Sequence, residues 1–175
     1  IMHRNNDALD KLGYKIIFRM VEYLEVNQGG LFIKNEEKSG KVCFDLTAAY
    51  AYDRKKILEK RVRYNEGMIG MCAAEKKTVY MDNLPENYIS ITSGLGNAIP
   101  DCLLIVPLKM ADDVLGVIEL AGFDRIEKYK IEFVEKVAEN LASTISGMKI
   151  NLKTQELLKQ AQQQKKKKKE QEEVM

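Results

Sequence analysis

Few side chains in this 175-residue chain have the types and spacing that catalysis needs. Its one histidine, His3, lies close to the N-terminus. An isolated terminal histidine argues against a histidine-based metal site, a Cys–His or Ser–His dyad and imidazole general-base chemistry. Three cysteines, Cys43, Cys72 and Cys102, lie far apart and form no CxxC pair, which indicates buried thiols in a reducing compartment.

Glu119 is the polar residue that interrupts the apolar run from Val117 to Ala121. A buried charge without a partner is costly, so this carboxylate is expected to face a pocket or a buried partner such as Arg63. The alternative is that its face of the strand looks outward, where a glutamate is ordinary. The sequence leaves both interpretations open.

Residues 86–100 form a polar stretch with glycines and no clear period. A loop of that length inside a compact domain is usually functional or mobile. One interpretation is a lid over a small-molecule site, with Gly94 and Gly96 as hinges; the other is a loop that merely caps the sheet. Its hydrogen-bonding residues are Asn87, Tyr88, Ser90, Thr92 and Ser93.

The elements that must position these residues follow from hydrophobic periodicity. Helices are predicted over 7–27, 67–76 and from 132 onward, and strands over 31–34, 42–52, 78–81, 103–110 and 114–122. Residues 53–63 are predicted as a surface connection. This order predicts an α+β domain with a mainly antiparallel sheet flanked by the N- and C-terminal helices.

The last fifty residues are predicted to form one long helix that leaves the domain from Glu132. Its apolar residues alternate in spacings of four and three, which is typical of a coiled coil with a second copy of the chain. We name this set the predicted seam: Val134, Ala138, Leu141, Ile145, Met148 and Leu152. The wide apolar stripe of the first helix suggests a second helical partner, and adds Ile16, Met20 and Tyr23 to the predicted dimer interface.

Composition excludes some partners. The net charge of +2 gives the domain no strong attraction to nucleic acid or anionic lipid. The lysines at 165–169 are expected to be a solvated helix end with Glu partners four residues on, although such a run also suggests nucleic-acid or membrane contact. No apolar run is long enough to span a bilayer. The chain is expected to be a fragment of a longer protein.

Three passages resemble the GAF family, over roughly 15–148. They are GMIG at 67–70 followed by TVYMD at 78–82, LIVPL at 104–108 and LGVIEL at 115–120. Longer passages at 27–32, 88–96 and 149–158 resemble GAF domains in multidomain sensor proteins of Bacteroidetes-type bacteria. There a similar helix leads to PAS or histidine-kinase modules.

The resemblance implies a PAS-related fold with an N-terminal helix (1–28), a sensory core (29–126) and a signalling helix with a charged tail (127–175). It places a small-molecule pocket under 86–100 and beside the helix that starts at Gly67, where exposed N–H groups suit an anion. The expected ligand-binding residues are Gly67, Tyr80 and Glu119, together with the five loop residues.

The resemblance further implies a non-catalytic, cytoplasmic, homodimeric signalling module that acts on a downstream output domain such as a histidine kinase. The cyclic-nucleotide signature of some members is missing, and no cysteine has the neighbouring histidine that bilin attachment needs. No metal motif is present, and the ligand is unknown. The alternatives are a ligand-free dimerisation spacer and a free methionine sulfoxide reductase, for which Cys72 and Cys102 lie in comparable but offset regions.

Overall fold

The computed structural model describes residues 7–51, 61–84 and 100–174. Within these ranges the chain forms helices α1 (Asp7–Leu24), α2 (Gly67–Glu75) and α3 (Lys128–Glu173). The strands are β1 (Gln28–Glu36), β2 (Val42–Tyr50), β3 (Arg61–Arg63), β4 (Val79–Asp82), β5 (Cys102–Met110) and β6 (Asp113–Gly122).

The strands form one antiparallel sheet in the order β3-β2-β1-β6-β5-β4. Hairpins join β1 to β2 and β5 to β6. β1 lies beside β6, so that the first and last strands of the chain meet at the centre of the sheet. The α+β fold and the antiparallel sheet are confirmed, with strand bounds that differ by a few residues from those expected.

Strand β3 is the element that the sequence does not predict. Its pattern Arg-Val-Arg places two charges around one apolar residue, which resembles a surface connection. The structure pairs it with β2 at the edge of the sheet. Arg61 holds it there, since its Nε and Nη2 donate to Asp45 at 2.6 and 3.2 Å and its Nη1 donates to Glu37 at 3.2 Å. Charged side chains on an edge strand also discourage pairing with another chain.

Each face of the sheet is covered differently. Alternation along β6 sends Ile118 and Leu120 to the face covered by α1 and α3, and Val117 and Ala121 to the face covered by α2. β6 is buried from Val114 to its end, because it is a central strand covered on both faces. We call the second of these surfaces the α2 face.

The long helix α3 does not leave the domain at Glu132, which corrects the prediction. Val134, Ala138, Leu141 and Ile145 are buried inside the chain itself, in the core between α3 and the sheet. They are therefore not available to a second copy. Met148 and Leu152 are half-buried at the end of this contact, and residues 153–174 are exposed. A four–three spacing marks the buried side of any helix, whether its neighbour is a sheet or another helix.

Candidate functional site

The α2 face carries a buried carboxylate at its centre. Glu119 is 0% exposed and lies on β6 between Val117 and Ala121, which both belong to the core under α2. Its strand pairs with β1 on one side and with β5 on the other. The outward-facing interpretation is therefore wrong, and Glu119 faces the interior on the side where the resemblance places the pocket.

The residues beside Glu119 differ in size on its two sides. A row across the sheet runs from Ala49 on β2 through Gly30 on β1 to Glu119, and on to Ile105 on β5 and Val79 on β4. The β5 and β4 side carries branched side chains. The β1 and β2 side carries only a hydrogen atom and a methyl group. The sheet itself therefore places less side-chain volume beside the carboxylate on the β1 side than on the β5 side.

A cavity of about 400 Å³ opens on the same face, near the turn between β5 and β6. Phe44 and Val114 contribute apolar wall, and Lys34, Lys76 and Asp113 contribute charge. The Lys34 Nζ donates to the Asp113 Oδ1 at 2.9 Å. Apolar walls with a few polar groups are the usual lining of small-molecule sites. The sequence gives no signal for this cavity, because its residues come from several elements and turns that are distant in sequence.

Gly67 begins α2 with φ +62°, in the left-handed region that favours glycine. The residue before it, Glu66, places a carboxylate at this helix start, and its Oε2 accepts a hydrogen bond from the Arg63 backbone N–H at 3.3 Å. A negative side chain at that position opposes the binding of an anion by the helix N–H groups. The α2 start is thus less suited to an anion than the sequence suggests.

Tyr80 lies on the opposite face of the sheet from Glu119, so the structure does not bring these two predicted ligand residues together. Alternation along β4 turns Val79 toward the α2 face and Tyr80 toward the core under α1 and α3. Its hydroxyl accepts a hydrogen bond from the Ile126 backbone N–H at 2.9 Å. Tyr80 therefore anchors the connection between β6 and α3.

Replacing Tyr80 with phenylalanine is expected to lower the free energy of unfolding by about 1–2 kcal/mol, since Ile126 is buried and its N–H loses its acceptor. Urea unfolding at fixed protein concentration measures the change. Tyr64→Phe, at an exposed tyrosine, is the matched control and should change little. A Tyr80→Phe variant as stable as the control would contradict the anchoring role.

Five predicted ligand residues, Asn87, Tyr88, Ser90, Thr92 and Ser93, lie outside the described residues. The lid interpretation of residues 86–100 therefore stays a prediction.

The cysteines are not arranged as a redox pair. Cys72 packs in the core on the α2 face and Cys102 in the core on the other face, so the sheet lies between them. The Cys102 Sγ donates to the Asp124 carbonyl at 2.8 Å, and the Cys72 Sγ donates to the Lys77 carbonyl at 3.2 Å. Burial raises the pKa of the Cys72 thiol to about 12. A sulfoxide reductase needs the opposite, an accessible thiolate with a resolving partner.

This burial predicts slow thiol chemistry in the folded chain. At pH 8 a pKa of about 12 leaves about one Cys72 side chain in ten thousand as thiolate, against about a tenth in the unfolded chain. Native protein should react with a thiol reagent far more slowly than protein in guanidinium, where all three cysteines react. Because the folded state binds the Cys72 proton more tightly than the unfolded state does, this thiol contributes to the free energy of unfolding. The contribution is fully present below about pH 9 and is lost as the pH rises through about 12. Rapid native labelling at Cys72 would restore the reductase interpretation.

The predicted dimer residues of α1 lie beside a part of α3 other than the predicted seam. Ile16, Met20 and Tyr23 line a groove of about 540 Å³ between α1 and α3, whose α3 wall is Phe133 and Val137. The rings of Tyr23 and Phe133 are 4.7 Å apart between centroids. Sequence reasoning misses Phe133 and Val137 because they flank the stronger periodic stripe.

Two further observations concern cofactors and membranes. Among the residues that the structure describes, no cluster of histidine, cysteine, aspartate or glutamate is arranged to hold a metal ion. In the same part of the chain, no helix is long and apolar enough to cross a bilayer.

Several solved structures share this fold. A GAF domain of a phosphoenolpyruvate-protein phosphotransferase from Coxiella burnetii is similar with a TM-score of 0.70 and 19% identity, over 84% of this chain and 89% of that one. A GAF domain/HD domain protein from Geobacter sulfurreducens is similar with a TM-score of 0.65 and 12% identity, over 83% of this chain and 96% of that one. A type II free methionine-R-sulfoxide reductase from Thermoplasma acidophilum is similar with a TM-score of 0.64 and 11% identity, over 82% of this chain and 96% of that one.

At such low identities these likenesses show the fold alone. No curated protein matches the chain. The GAF domain family model matches residues 10–146, which is well over half of the chain. The chain therefore belongs to the GAF family, whose domains are generally regulatory or sensory and generally non-catalytic.

Proposed function

We propose that this chain is a sensory module of a bacterial signal-transduction protein, which binds a small molecule on the α2 face beside Glu119. The observation that carries the proposal is the complete burial of Glu119 on a face whose described core residues are apolar, next to the small residues Gly30 and Ala49. Taking a carboxylate out of water is costly, and a binding site is one use that offsets the cost. A carboxylate favours ligands that carry an amine, a guanidinium or another hydrogen-bond donor.

The fold supplies a direct route from this site to the long helix. β6 turns Glu119 toward the α2 face, while its neighbours Ile118 and Leu120 turn toward the core under α3. A ligand that shifts β6 therefore acts on the base of α3 without an intermediate element. The ligand needs different affinities for two positions of the helix, and a tenfold difference corresponds to about 1.4 kcal/mol.

We further propose that the module is a cytoplasmic homodimer whose α3 leads to an output domain such as a histidine kinase or a PAS module. The support is an exposed helical segment at 153–173 beyond the domain and the apolar groove between α1 and α3. Fold relatives include a GAF domain of a phosphotransferase protein and a GAF domain/HD domain protein, so this fold is joined to other functional units elsewhere.

Native mass spectrometry of the purified chain, beside a denatured spectrum, tests the ligand. A bound mass that disappears on denaturation, and is reduced in Glu119→Gln, supports the site. Glutamine keeps the shape of glutamate and removes its charge. A bound mass unaffected by Glu119→Gln moves the site elsewhere. The absence of any bound mass, and of any thermal shift with amine-bearing or guanidinium-bearing compounds, favours a ligand-free dimerisation spacer.

A further inference from the structure

The cavity near the turn between β5 and β6 has an apolar floor. Phe44 on β2, Ala73 on α2 and Val114 on β6 are all buried, and all three line it. The exposed ring of Tyr64 adds an aromatic wall. The volume of about 400 Å³ lies at the small end of the range for ligand sites, so the cavity suits a molecule with a single ring.

This cavity is separate from the site beside Glu119. Val114, at the cavity, and Glu119 are five residues apart on β6, which is about 17 Å along an antiparallel strand. Between them, Phe32 and Val117 pair across β1 and β6, and both are buried on the α2 face. Residues 86–100 lead into the start of β5, whereas the cavity lies at its far end. A ligand in the cavity therefore occupies a second site.

Four charged side chains line the cavity, and two of them pair with each other. The Lys34 Nζ lies 2.9 Å from the Asp113 Oδ1, so these two charges cancel. Lys76, at the end of α2, and Asp112, in the turn, have no ion-pair partner among the residues that the structure describes. Two opposite charges that share a cavity without pairing leave a gap that a ligand carrying both charges can fill.

We propose that this cavity binds an α-amino acid with an aromatic side chain. The ligand carboxylate accepts hydrogen bonds from the Lys76 ammonium, and the ligand ammonium donates to the Asp112 carboxylate. The ring packs on Phe44 and Tyr64. Burial of the ring favours binding, while the two charges select a zwitterion over a simple acid or amine. This site goes beyond the proposed function and does not rest on it.

Such a ligand joins two elements that are otherwise distant in sequence. Lys76 belongs to the end of α2, and Asp112 to the turn that leads into β6. β6 also packs in the core under α3 through Ile118 and Leu120. An amino acid held between α2 and the turn therefore acts on a strand that contacts the long helix.

An NMR titration of the ¹⁵N-labelled intact chain with phenylalanine measures the affinity. 3-Phenylpropanoate lacks the ammonium group and phenethylamine lacks the carboxylate, so each analogue should bind at least about tenfold more weakly. The backbone signals that shift should belong to the end of α2 and the turn around Asp112, and not to the centre of β6.

Two adjacent lysines make a matched test of the charges. Lys76→Met should weaken phenylalanine binding at least about fivefold, and Lys77→Met less than about twofold, since Lys77 does not line the cavity. Asp112→Asn should weaken phenylalanine at least about fivefold without weakening 3-phenylpropanoate, which has no ammonium group. Glu119→Gln should leave phenylalanine binding unchanged.

Lys76→Gly separates the loss of binding from a loss of folding. Lys76 ends α2 with φ +57°, in the left-handed region that favours glycine. This variant should therefore melt at a temperature no lower than the parent chain, while it binds phenylalanine at least about fivefold more weakly.

Four results overturn the proposal. Phenethylamine that binds as tightly as phenylalanine, or a Lys76→Met variant that binds like the parent, leaves the carboxylate without its partner. Phenylalanine that causes no shift at millimolar concentration removes the ligand. In these three cases the site beside Glu119 stands, because native mass spectrometry tests it separately. Loss of phenylalanine binding in Glu119→Gln, with Lys76→Met unaffected, moves the amino acid to the site beside Glu119.

Discussion

Replacing Gly70 with alanine is expected to lower the free energy of unfolding by about 2–4 kcal/mol, a large part of the stability of a domain this size. A Cβ built at this position lies 2.5 Å from the Arg63 carbonyl oxygen and 3.0 Å from the Asn65 nitrogen. Both are backbone atoms, so no change of rotamer relieves the overlap. α2 would have to move away from β3 and from the core that it covers.

Gly147→Ala is the matched control, because it makes the same change inside another helix. A Cβ there meets nothing within 4 Å, and alanine is a better helix former than glycine. This variant should be more stable by about 0.5–1 kcal/mol, so the two substitutions are expected to have opposite signs. Urea unfolding of both variants at one protein concentration makes the comparison. A Gly70→Ala variant as stable as the parent chain would mean that α2 does not approach β3 this closely.

The central strands are the part of this fold that the sequence predicts best. β5 and β6 are long apolar runs separated by the turn around Ala111, and little else than a buried hairpin satisfies that pattern. β3 is not predictable in the same way. It has three residues, and what holds it is an ion pair between Arg61 and Asp45 on another strand, which local periodicity does not report.

The candidate site is predictable as a residue type but not as a set. Glu119 is evident because a carboxylate in an apolar strand requires an explanation. Tyr80 shows where such reasoning fails, since membership of a motif does not give the face of the strand. A shift of one residue in alternation moves a side chain to the other side of the sheet. Gly30 and Ala49 join the site only through pairing between strands distant in sequence.

The long helix shows the same limit on a larger scale. Periodicity identifies a buried side of α3 at Val134 to Ile145 but does not identify what covers it. The apolar spacing and the absence of proline beyond Glu132 suggest one continuous partner along the helix. In the structure the first half of the helix packs on its own sheet, and the second half lies beyond it.

Replacing Ile145 with aspartate is expected to lower the free energy of unfolding by about 4 kcal/mol or more, and to do so equally at every protein concentration. Ile145 is 0% exposed and packs in the core between α3 and the sheet, so the substitution buries a carboxylate inside one chain. If this residue faced a second copy instead, the loss would grow on dilution because dimerisation would carry it.

The comparison with Ile150→Asp isolates this effect, since Ile150 lies on the same helix and is 62% exposed. That substitution should change unfolding by no more than about 0.5 kcal/mol. Urea unfolding across a hundredfold range of protein concentration, followed by circular dichroism, separates the two cases. If Ile145→Asp lowers the free energy of unfolding by the same amount at every protein concentration, the first half of α3 lies in the domain core. A loss that vanishes at high concentration would return Ile145 to a dimer interface and, with it, the whole predicted seam.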